Sequence, residues 1–148
     1  MGKHIKISWV VEVAKAINGV SASWNPVRAR NRETGKAGWF CIKASDGCKN
    51  CYAESINHVY GTQVSFRAQD IGMIELYLDE KIYNQPLQWR GPHAVFVGDM
   101  YDALGPWLDA DWLCRQLAIM EQRRDCIFMV LTKQSKNLRA FFEAYKGQ

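Results

Sequence analysis

Apolar residues recur with two different periods along this chain, and each period predicts its own kind of element. Trp9, Val13, Ala16 and Ile17 stand three and four positions apart, the spacing of a helix that buries one face, over residues 7–18. Ser8 offers an N-terminal cap for that helix and Asn18-Gly19 a stop. Ser21 to Val27 reads as extended, because Asn25 precedes Pro26 and the residue before proline is pushed out of helical geometry. A second helix is predicted from Cys51 to Tyr60, with Ile56 and Tyr60 on one face and Gly61 ending it. Residues 62–90 carry a weaker pattern. Ile71 to Tyr83 is compatible with a helix, and Gln85-Pro86-Leu87-Gln88-Trp89 reads as an extended connector ending at Gly91-Pro92.

The last third of the chain is patterned more strongly. Ala94-Val95-Phe96-Val97 is a continuous apolar run between Gly91-Pro92 and Gly98-Asp99, as expected of a parallel strand covered on both faces. Asp109 can cap a helix reaching Arg123, with Leu113, Leu117 and Met120 along its stripe. Cys126 to Leu131 is a second β-rich apolar run. Ser135 then caps a final helix carrying Leu138, Phe141, Phe142 and Tyr145, with Gly147 as its end. Strand–helix–strand–helix in this order predicts a βαβ unit, and so an α/β fold. Residues 1–148 are expected to form one α/β domain: an N-terminal helix and cysteine loop over 1–61, a connector over 62–92 and a βαβα unit over 93–148.

Composition narrows the class. The chain is 48% hydrophobic and 23% charged, with no apolar run long enough to cross a bilayer and no signal peptide, so a soluble cytoplasmic protein is expected. A net charge of +4 permits contact with polyanions without requiring it. Arg28, Arg30, Arg32 and Lys36 concentrate that charge in one stretch, read as a solvated loop or as a nucleic-acid-binding arm beside the cysteines.

The chemistry lies between Phe40 and Glu54, where Cys41, Cys48 and Cys51 account for three of the five cysteines. Thiolates are soft ligands for zinc or iron–sulfur clusters, and a two-residue gap lets neighbouring cysteines share one centre. Closed sites need four ligands. Three thiols therefore suggest either a cluster with one iron open or a zinc site completed from elsewhere, and three unrelated free thiols are the bland reading. His58 stands seven residues after Cys51, a rise of about 10 Å on one helix, too far for a shared ion. Cys114 and Cys126 sit within helix and strand patterns, where thiols act as small hydrophobes. In parallel α/β structures ligands bind beyond the carboxyl ends of the strands. That rule puts Asp99-Met100-Tyr101-Asp102 and Thr132-Lys133-Gln134 on a functional rim, joined by the cysteine loop if a strand near Trp24 feeds it.

Ser23-Trp24-Asn25-Pro26-Val27 and Gly47-Cys48-Lys49-Asn50-Cys51-Tyr52-Ala53-Glu54 resemble a phage- and prophage-encoded family of radical-S-adenosylmethionine-like proteins, distantly related to spore photoproduct lyase. Gln85 to Trp89, Val95 to Asp102 and Val130 to Lys133 extend the resemblance over most of the chain in the same order. The resemblance implies a partial (β/α) barrel with few parallel strands and the three-cysteine loop at its carboxyl rim. It implies a [4Fe–4S] cluster on Cys41, Cys48 and Cys51, and S-adenosylmethionine on the open iron. Reductive cleavage would then yield a 5′-deoxyadenosyl radical that takes hydrogen from a substrate such as a nucleic acid or nucleotide. Tyr52, Asp99, Met100, Asp102 and Lys133 would contact that cofactor. Relatives are longer, and here residues 28–39 read as an insertion and the N-terminal helix as extended. Two or three strands leave a parallel edge open, so a second copy or another polypeptide is expected to complete the fold. Two other functions fit the same residues: a non-catalytic phage protein that blocks a host factor such as a defence complex, and a small zinc-stabilised nucleic-acid binder.

Overall fold

The computed structural model describes residues 6–145. In chain order its elements are α1 (Ser8–Ala16), β1 (Val20–Trp24), β2 (Val27–Asn31), β3 (Ala37–Gly38), α2 (Tyr52–Tyr60), β4 (Ile74–Leu78), α3 (Glu80–Tyr83), β5 (His93–Val97), α4 (Ala110–Gln122), β6 (Ile127–Val130) and α5 (Ser135–Tyr145). Short 3-10 turns cover Asp46–Cys48, Ala68–Met73 and Gln85–Gln88.

β1, β5 and β6 form a parallel sheet with β5 in the centre. This is the α/β unit that the apolar runs predict, left as an open sheet rather than closed into a barrel. β5 is buried at every position, and its alternating side chains explain the unbroken apolar run. Ala94 and Phe96 face α1, packing with Val10 and Ala14. Val95 and Val97 face the other way, against Trp24 and against Ile119 of α4. Burying side chains of this size contributes about 2 kcal/mol each. β6 is the sheet's edge, and its Ile127 and Val130 are exposed.

A second, antiparallel sheet, ordered β3-β2-β4, departs from the sequence reading. The stretch Arg28 to Lys36, read as a loop, is strand β2 followed by a turn. Ile71 to Tyr83, read as helical, is a 3-10 turn, strand β4 and the short α3. In both strands the inward faces alternate: Val27, Ala29 and Asn31 in β2, Ile74, Leu76 and Leu78 in β4. The intervening charges on β2 masked this period of two. Gln85–Gln88 is a 3-10 turn rather than extended, with Pro86 at its start and buried.

Helix positions hold and their faces rotate. α1 starts at Ser8 with Ile7 as its cap, and it buries Val10 and Ala14, while Ala16 faces out. α2 buries Ala53 and Asn57, leaving Tyr60 exposed. The side chain of Asp109 caps α4 as expected, by accepting from the Asp111 N–H at 2.9 Å; the buried stripe is Leu113, Gln116 and Ile119. On α5, Phe141 packs inward and stacks on Tyr145, whereas Leu138 and Phe142 stay exposed. Gly147 lies outside the described residues. Among the described residues no helix is long and apolar enough to cross a membrane.

Candidate functional site

Because β1, β5 and β6 run parallel, their carboxyl ends meet at one edge, and the chain leaves them at Asn25, Gly98-Asp99 and Leu131-Thr132. A cavity of about 420 Å³ opens at that edge. Cys41, Cys48 and Cys51 all line it, together with Asp99, Met100, Asp102 and Lys133. Tyr52 stands beside the cavity and does not line it. The three thiols come from three local structures: the segment after β3, the 3-10 turn at Asp46–Cys48, and the N-terminal cap of α2. All three are free and half-buried. Among the described residues, no three His, Cys, Asp or Glu side chains stand close enough to hold one metal ion.

Hydrogen bonds fix the rim. Asp102 accepts from Thr132 Oγ1 at 2.7 Å, from the Lys133 N–H at 2.8 Å and from the Leu104 N–H at 3.0 Å. The carboxylate thus clamps the end of β6 to the end of β5 and aims Lys133 across the opening. There the Lys133 ammonium donates to Cys48 Sγ at 3.2 Å. Asn25 plays the corresponding part at β1. Its Nδ2 donates to Asp99 Oδ1, and its Oδ1 accepts from the Met100 N–H at 3.1 Å. The Tyr52 hydroxyl joins α2 to the same point, donating to the Asp99 carbonyl at 2.9 Å and to Oδ2 at 3.2 Å.

Two further groups hold the cysteine loop. Glu54 Oε2 accepts from the Phe66 N–H at 2.7 Å, and Oε1 meets the Lys43 ammonium at 2.8 Å. Burial would raise this carboxyl, but those two partners hold it below the usual range. Asn57, fully buried, accepts from the N–H groups of Trp39 at 3.0 Å and Thr62 at 3.1 Å, and donates to Thr62 Oγ1 and the Val64 carbonyl. Trp39 is two residues from Cys41, so the hub sets where the first thiol enters.

The thiols differ in electrostatic setting. Burial pushes Cys41 up to about 12, a rise that hydrogen bonds from the Asp102 and Ile42 backbone only partly oppose. At Cys48 burial also acts upward, but hydrogen bonds at Ala44 and Ser45 and the Lys133 ammonium outweigh it and hold the thiol below its ordinary value. Burial raises Asp99 as well, against the hydrogen bonds from Asn25 and Tyr52. The two shifted thiols and Asp99 thus share one cavity wall.

Of the residues singled out by sequence, then, the cysteines, Asp99, Met100, Asp102 and Lys133 come together. Asp99 and Asp102 spend their oxygens on neighbouring protein groups. His58 is exposed, Cys114 and Cys126 are half-buried rather than core thiols, and none of the three lines the cavity. Thr132, placed on the rim by sequence, also carries the site's framework, and Asn25, Glu54 and Asn57 do so without having been assigned to it. Asn25 signalled only extended backbone before proline, and Asn57 lay off the helix face read from Ile56 and Tyr60.

Fold and site together define an α/β protein with a thiol-lined cavity at the carboxyl rim of an open parallel sheet. A family model described as "Protein of unknown function (DUF5131)" matches residues 15–148, and the chain belongs to that family. Comparison with curated proteins and with solved structures gives no match.

Proposed function

We propose that this protein is a radical-S-adenosylmethionine-type iron–sulfur protein in which Cys41, Cys48 and Cys51 hold a [4Fe–4S] cluster. The observation that carries this reading is the meeting of all three thiols with the strand-end residues of the parallel sheet in one cavity. The donor set suits the group. Three soft thiols line one shared space, and the carboxylates beside them, Asp99 and Asp102, are already engaged by protein hydrogen-bond donors.

When bound, such a cluster supplies one electron for reductive cleavage of the sulfonium of S-adenosylmethionine. The chain's own residues do the rest. Cys48 is kept toward the ligating thiolate form by hydrogen bonds at the Ala44 and Ser45 backbone and by Lys133, whose position is set in turn by Asp102 and Thr132. Asn25 and Tyr52 hold Asp99-Met100 at the cavity wall, where Met100 and Phe96 give an apolar surface.

Anaerobic reconstitution tests the proposal. It should give about four irons per chain, a broad visible absorbance and reductive cleavage of S-adenosylmethionine. Replacing any of the three cysteines by alanine should abolish all three. Protein that takes up zinc alone, with no affinity for S-adenosylmethionine, would overturn it.

A further inference from the structure

The arginines of β2 are absorbed by none of the foregoing, and they share one face. Arg28 and Arg30 alternate with the inward Val27, Ala29 and Asn31, and Arg32 follows one step past the strand's end. Each guanidinium is oriented by a backbone carbonyl: Arg28 Nε donates to Gly38 O at 3.1 Å, Arg30 to Gly35 O at 3.4 Å and Arg32 Nε to Ile74 O at 3.1 Å. Two of them also lie over rings, Arg28 at 4.5 Å from the Trp39 centroid and Arg30 at 5.3 Å from that of Tyr77. Arg67, Arg115, Arg123 and Arg139 each pair with a carboxylate, yet no ion pair among the described residues involves Arg28, Arg30 or Arg32. Glu75, across from Arg30 in the ladder, is the acidic residue on this face. Three oriented cations without carboxylate partners thus stand on one face, the two within the strand about 7 Å apart and Arg32 just past its end. That step is close to the separation of neighbouring phosphates on an extended nucleic-acid strand.

We infer that the outer face of the antiparallel sheet binds the phosphodiester backbone of a nucleic acid through Arg28, Arg30 and Arg32. Carbonyl anchoring leaves the remaining guanidinium N–H groups to bridge phosphate oxygens, and the cations are held in place before binding. Recognition is by charge and is largely independent of sequence. The face stands independently of the cluster, since no thiol takes part in it.

The test uses the full chain and fluorescein-labelled 20-nucleotide DNA, the same sequence as RNA, and the DNA duplex, followed by anisotropy across a salt series. Binding at low salt is expected, with log K falling against log salt at a slope of about −2 for single strands, the release expected of three phosphate contacts. The Arg28→Gln/Arg30→Gln/Arg32→Gln variant should weaken binding at least tenfold and flatten the slope. Arg28→Lys/Arg30→Lys/Arg32→Lys should keep most of the slope. An equal charge loss elsewhere, Arg115→Gln/Arg124→Gln/Arg139→Gln, should change little. Hydrogen exchange on unaltered protein needs no variant: amides of residues 28–38 should slow when DNA is added. Absence of binding at low salt, equal weakening by the distant triple, or unchanged exchange in that segment would each overturn the inference. Loss of binding with an intact iron content would leave the cluster reading standing, and the reverse result would separate the two in the other direction.

Discussion

Asn25 carries more of the rim than a turn residue before proline would be expected to. Both ends of its amide are used, one on the Asp99 carboxylate and one on the Met100 N–H, and these lie in the turn that follows the neighbouring strand β5. Asn25→Ala would leave a half-buried carboxylate oxygen and a backbone donor unpartnered, a loss of about 2 kcal/mol in chemical denaturation. Asn25→Asp tests the electrostatics separately. The introduced carboxylate would face Asp99, whose carboxyl burial already pushes above its ordinary value. The folded state then holds protons more tightly than the unfolded chain. Stability relative to wild type is therefore best below the ordinary carboxylate range and is lost as pH rises through the folded value. The variant should be clearly weaker near pH 7 and recover toward wild type at about pH 4. A deficit that does not vary with pH would place the cost in geometry instead of charge. At this scale the sequence was legible for chemistry and not for support. Cysteines, Asp99 and Lys133 announce themselves by type and position, whereas Asn25 and Thr132 act through partners some 75 and 30 residues away in the chain, which no local pattern encodes.

Elements were legible where one face of a period was apolar and lost where charge interrupted it. β5 read correctly because both its faces are covered by helices or rings. β2 did not, because its outer face is arginine, and a charged strand on a solvated face resembles a loop in sequence. α2 was found as a helix with Ile56 against the core as read, but Tyr60 points out and the fully buried polar position was missed. That position is Asn57, and the close approach of Gly38 and Gly61 to its amide explains why both positions lack a side chain. At Gly38 an added Cβ would lie 2.6 Å from Asn57 Oδ1, so overpacking follows. Asn57→Ala removes a side chain that satisfies four buried or half-buried backbone and hydroxyl groups. It should cost about 3 kcal/mol, as should Gly38→Ala, while Tyr60→Ser on the exposed face should change stability by less than about 0.5 kcal/mol. Thermal melting of the three variants checks this ordering, and an equal effect at Tyr60 would refute the assigned orientation of α2.

The whole molecule divides its stability from its site. The clusters on the two faces of the parallel sheet contain no cysteine. The cluster that joins the antiparallel sheet to the cavity does, with Cys41 and Cys51 packed against Phe40, Ala53, Phe66 and Met100. A bound cluster should therefore order the loop without being needed for the sheet, unlike the structural zinc of a small finger, whose fold disappears with its metal. Removing iron by chelation, or replacing all three cysteines by alanine, should leave the far-ultraviolet circular dichroism largely unchanged. Hydrogen exchange resolves what moves: amides of β5 should keep their protection, and those from Cys41 to Glu54 should lose it. Collapse of protection in β5 as well would mean that the inorganic group holds the fold together. The thiol cavity would then be a structural centre, and the redox chemistry proposed for it would lose its main support.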